Sequence, residues 1–129
     1  MTPARRAQLV ISVTALSVGL GGLLVARATS FTTARGEVLL GLGVSFNVLG
    51  ALVTILLAVL AMAGAAMGIR SLVLAGATGF GLAAIQVIFQ FGRADNWLGS
   101  RGSNLSFWLA VSVGLLTLVW LQNRTGETP

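Results

Sequence analysis

Few side chains in this 129-residue chain can do chemistry, and their types narrow what that chemistry can be. There is no His and no Cys, and all eight basic residues are Arg, at positions 5, 6, 27, 35, 70, 93, 101 and 124. Without imidazole or thiol there is no disulfide, no His-ligated haem, no thiolate or imidazole metal site, and no Cys or His nucleophile or base. Without Lys there is no Schiff base. The acids are Glu37, Asp95 and Glu127. Ser, Thr, Asn and Gln cannot replace a general base. The expectation is a non-enzymatic protein with no catalytic residue, no cofactor and no metal site.

Two polar groups remain as candidates. The first is a set of loop residues, Arg27, Arg35, Arg93, Arg101 and Trp97, whose spacing recurs along the chain. Arg27-Ala28-x-x-Phe31-x-x-x-Arg35-Gly36 is followed, 66 residues on, by Arg93-Ala94-x-x-Trp97-x-x-x-Arg101-Gly102. Such arginines anchor helix ends by snorkelling, or form a basic patch for lipid headgroups or an acidic partner surface. Glu37 and Asp95 leave these loops a net charge of only +2. That is too little for nucleic acid, and no run of stacking aromatics accompanies it.

The second group is Asn47, Gln86 and Gln90, amides inside otherwise apolar stretches. Asn47 lies ~13 Å and Gln86 ~10 Å from the same membrane face at 1.5 Å per residue, so a cross-helix amide pair is geometrically open to them. Gln90 shares a helix face with Gln86. Amides at this depth glue helices together at roughly 0.6–2 kcal/mol per bond; the rival role is lining a path for a small solute.

The elements that must position these groups are set by where charge is missing. Only 9% of residues are charged, 56% are hydrophobic, and the mean hydropathy is +0.95. A soluble fold carries about 25% charged residues, so a soluble domain is excluded. The charges enclose uncharged stretches of 20 residues (7–26), 32 (38–69), 22 (71–92) and 22 (102–123). About 20 apolar residues span a bilayer core as helix. The expected helices are 9–26, 38–60, 72–91 and 105–121, with 61–68 a frayed end and tight turn. The runs lack the alternation of a barrel strand, and backbone groups in lipid must bond within their own segment. The fold expected is therefore an all-α integral membrane protein, a single domain over 1–129 with four transmembrane helices in an antiparallel bundle.

The recurring loop pattern adds an internal repeat to this picture. Units 5–58 and 71–124 would be tandem helix–loop–helix copies, related by a pseudo-twofold axis along the membrane normal. Small-xxx-small pairs at Gly64/Gly68, Ser17/Gly21 and Ala77/Gly81 predict close helix contacts. Arg5 and Arg6 before an apolar run resemble a signal peptide. That run has 18 residues, beyond the roughly 7–15 of a signal core, so a retained first helix is expected.

Arginine counting gives four on each side of the membrane, and the tie is broken toward cytoplasmic termini because Arg5 and Arg6 precede the first helix. An Arg-only basic set points to a high-GC genome and a bacterial cytoplasmic membrane. No helix interior holds an ionisable residue, which removes carboxylate-coupled transport and voltage sensing. The function expected is an accessory or structural subunit in contact with membrane lipids. It would pack against another membrane protein or as a homo-oligomer, docking through its Arg loops. The alternative is a small oligomeric channel or facilitator lined by the amides.

Overall fold

The computed structural model describes residues 1–26, 37–38, 45–46, 48–90 and 102–126. Among these are four helices, α1 (Pro3–Ala26), α2 (Val48–Met67), α3 (Arg70–Gln90) and α4 (Gly102–Thr125). Between α1 and α2 lie two short strands, β1 (Glu37–Val38) and β2 (Ser45–Phe46). They pair antiparallel, with Glu37 opposite Phe46 and Val38 opposite Ser45. All four helices are long and apolar enough to cross a membrane.

The helix bounds depart from expectation in ways that local chemistry explains. α1 begins at 3 rather than 9, because Thr2 and Pro3 form a helix start. Pro at the first helical position lacks only a donor that would be idle there, and the Arg5 N–H bonds to Thr2 Oγ1 at 3.3 Å, a side-chain cap. Arg5 and Arg6 thus belong to the first turn of the helix.

The second span shifts more, to 48–67 instead of 38–60. Its expected start carries Gly41 and Gly43, each about 1 kcal/mol poorer than Ala in a helix; both lie outside the described residues. At the other end, 61–67 is Ala-rich and helical, not frayed. Helix α2 stops at Gly68, whose φ of 74° suits a residue without Cβ. The Ile69 N–H then bonds back to the Gly64 carbonyl at 2.8 Å, the closing bond of a glycine-terminated helix end. Ile69 in turn offers its carbonyl to the Leu72 and Val73 N–H groups. Two residues therefore join α2 to α3.

The core is built from small residues. Ala15, Ala51, Ala58, Ala61, Ala65 and Ala77 are buried around Phe80, Trp108 and Leu115. Large aliphatics point outward instead, among them Leu24, Leu56, Leu82 and Ile88. In lipid, hiding a Leu gains nothing, and close backbone approach gains dispersion contacts. Gly64 and Gly76 show this at the α2–α3 seam. A Cβ on Gly64 would lie 2.7 Å from the Val73 nitrogen, and one on Gly76 would lie 2.9 Å from the Leu57 carbonyl oxygen. At the α3–α4 seam, Ser112 Oγ donates to the Ala77 carbonyl at 2.8 Å, and Gly81 faces the same hydroxyl. Of the expected small-residue pairs, Ala77 and Gly81 thus serve one seam, while Gly64 serves a seam and Gly68 the turn. Ser17 is exposed and bonds its own helix at the Val13 carbonyl.

Candidate functional site

Polar contacts gather where α1 and α3 begin and α2 and α4 end. Arg5 reaches from α1 to the end of α2, donating from Nε to the Ala65 carbonyl at 2.9 Å and from Nη2 to the Ala66 carbonyl at 2.7 Å. These carbonyls belong to the last turn, whose acceptors lack intrahelical partners and carry the negative end of the helix dipole. A cation there is well placed on both counts. The contact also ties α1 to α2 across 60 residues of sequence.

One turn deeper, Gln8 Nε2 donates to Gln122 Oε1 at 2.8 Å. Both side chains are 1% exposed, so this amide pair joins α1 to α4 inside the bundle. Ser12, one turn further along α1, is buried and donates to the Gln8 carbonyl. Toward the opposite end of the bundle, Trp108 Nε1 donates to Thr54 Oγ1 at 3.2 Å, and the Thr54 hydroxyl donates to the Gly50 carbonyl at 2.9 Å. Trp108 is fully buried. The indole thereby packs as a core side chain and keeps its N–H bonded, as buried Trp requires.

The third arginine at this end is differently placed. Arg70 is the first residue of α3, at the positive end of that helix dipole. Its Nη1 donates to Asn123 Oδ1 of α4 at 2.7 Å. Its Nε and Nη2 are buried and have no hydrogen-bond partner among the described residues. Arg124 is exposed and holds its guanidinium carbon 5.2 Å from the centre of the Trp120 ring, a cation–π contact. With the exposed Arg6, four arginines stand at one end of the bundle.

Most of the residues singled out from sequence are not among those described. Arg27, Arg35, Arg93, Trp97, Arg101 and Asn47 lie outside the described residues, as do the loops carrying the repeated pattern. Gln90 ends α3, with its side chain outside the described set. Gln86 is half-buried and already engaged in a polar contact.

The buried amides that stand out, Gln8, Gln122 and Asn104, were not among the sequence candidates. The expected helix ends, 9 and 121, leave Gln8 and Gln122 just outside the spans. A signal for them does exist. Gln8, Ser12, Ala15 and Gly19 are buried at helical spacing on α1, and Asn104, Trp108, Val111, Leu115, Val119 and Gln122 on α4. The α1 stripe is made of small and polar residues, while the α4 stripe has an amide at each end and Trp108, Val111, Leu115 and Val119 between them.

No group of three or more His, Cys, Asp or Glu that could hold a metal ion exists among the described residues. Comparison with protein families, curated proteins and solved structures finds no match to this chain.

Proposed function

We propose that this chain is a non-enzymatic accessory or structural subunit of a membrane assembly. Its helices form an antiparallel bundle of two tandem helix–loop–helix units, in a bacterial cytoplasmic membrane with both termini cytoplasmic. It packs against another membrane protein or further copies of itself, and docks through the Arg27/Arg35 and Arg93/Arg101 loops.

One observation supports this reading over a solute path. Among the described residues, buried polar side chains bond from helix to helix, Gln8 with Gln122, Trp108 with Thr54 and Ser112 with the Ala77 carbonyl. A path needs polar groups turned toward water; these are turned toward one another. Bonds of this kind brace a bundle. A scaffold that is rigid inside and offers large aliphatic side chains outside is suited to being packed against.

Purification from the native host in mild detergent or native nanodiscs, followed by mass spectrometry of what remains bound, tests the proposal. A stoichiometric membrane partner is expected. Recovery of a lone homo-oligomer that conducts a solute in reconstituted vesicles would refute the accessory role.

A further inference from the structure

We infer that Arg70 is a binding site for the phosphate of an anionic phospholipid headgroup, at the end of the bundle where α1 and α3 begin. The argument starts from what the four arginines there already do. Arg5 is held by the Ala65 and Ala66 carbonyls, and Arg124 stacks on Trp120. Arg6 is exposed. Arg70 alone among them is anchored by one nitrogen, Nη1 to Asn123, while its Nε and Nη2 lie buried with no acceptor among the described residues.

Those two nitrogens form the side edge of the guanidinium. Their N–H bonds run parallel at the spacing of two oxygens of a carboxylate or phosphate, the geometry of bidentate recognition. Leaving that edge buried and unmatched is costly, because a charged donor loses water and gains no acceptor. The cost is raised by position, since the N-terminus of α3 adds positive potential to a positive side chain. An anion on the fork relieves both terms.

The class of anion follows from where Arg70 sits. It opens a 20-residue apolar span, Arg70–Phe89, and so lies at the level of the headgroups. Its neighbours Ile69 and Ser71 are exposed, which places it at the rim of the bundle. Binding requires the side chain to turn about its Nη1 anchor, so that the fork leaves its buried position for the headgroup layer. With Arg5, Arg6 and Arg124 nearby, an anionic lipid is favoured over a zwitterionic one.

The test is native mass spectrometry of the full chain in detergent, titrated with phosphatidylglycerol. One tightly retained lipid is expected, with diacylglycerol of the same chains not retained and equimolar inorganic phosphate failing to displace it. Arg70→Lys keeps the charge and removes the fork, and should weaken retention about tenfold. Arg6→Gln and Arg124→Gln, which remove charge from the same end, should change it less than about twofold. Equal retention by the Arg70→Lys protein, equal losses for all three variants, or full displacement by inorganic phosphate would overturn the assignment. So would retention that appears only in Glu127→Gln, which would give the fork to the chain's own carboxylate. If the Arg70→Lys protein does not assemble, carbon–phosphorus dipolar recoupling on arginine-labelled wild type in phosphatidylglycerol bilayers decides. Dephasing of the Arg70 ζ-carbon is expected, and its absence refutes the site.

Discussion

Replacing Gln8 and Gln122 by Leu, singly and together, separates the worth of a buried amide bond from the cost of breaking it. The pair is bonded at 2.8 Å, and each side chain is 1% exposed. Either single substitution leaves the other amide facing an apolar surface. An unmade buried hydrogen bond costs about 1–3 kcal/mol, and Leu is close enough to Gln in size to add little strain. The double variant removes both amides, so only the bond itself is lost, roughly 0.6–2 kcal/mol in membrane proteins, offset by better apolar packing. The double variant should therefore be no less stable than the worse single, with a coupling of about 1–3 kcal/mol between the sites. Reversible unfolding in mixed micelles, read by Trp fluorescence, measures all four corners of the cycle. Losses that simply add in the double variant would refute the reasoning. The two amides would then be acting independently, and the α1–α4 contact would not be their product.

Three further substitutions probe the other joints. Gly64→Ala places a Cβ 2.7 Å from the Val73 nitrogen and 2.8 Å from the Ile69 carbonyl oxygen; forcing α2 and α3 apart should cost about 1–3 kcal/mol in the same unfolding assay. Thr54→Val keeps the shape but leaves the Trp108 N–H without its acceptor, for a loss of about 1–3 kcal/mol, and a shifted indole emission should accompany it. Arg5→Met frees the Ala65 and Ala66 carbonyls, so hydrogen exchange in the last turn of α2 should accelerate while that in α3 stays as it was. Stability should fall by about 1–2 kcal/mol, discounted because one of the two bonds is exposed.

How legible the spans were depended on what marked their ends. The charges at Arg27, Arg70 and Arg93 bracket helices that the structure places within a few residues. Charge failed as a marker at the start of α1, since Arg5 and Arg6 sit inside the helix. The capping pair Thr2 and Pro3 was the better sign. It failed again across 38–69, where more uncharged residues were available than one crossing needs. Apolarity carries no register, so nothing in that stretch alone sets where a 20-residue helix begins. Gly68 does set where it ends, because the turn there needs a positive φ.

The candidate site was less legible for a different reason. Amides at mid-stretch attract notice because they interrupt apolar runs, whereas Gln8 and Gln122 hide among the polar residues at helix ends. Composition and charge spacing by themselves determined that this chain is helical and apolar enough to cross a membrane four times, without His, Cys or Lys chemistry. That follows because hydropathy and backbone hydrogen bonding act on each segment alone. Only the tertiary structure decided that Gln8 meets Gln122, that Trp108 is core, and that Arg5 bonds two carbonyls while Arg70 has one bonded nitrogen among the described residues. Those outcomes depend on which small faces let two backbones close together, and on which end of a neighbouring helix an arginine then meets. They are properties of pairs of helices, and no single segment contains them.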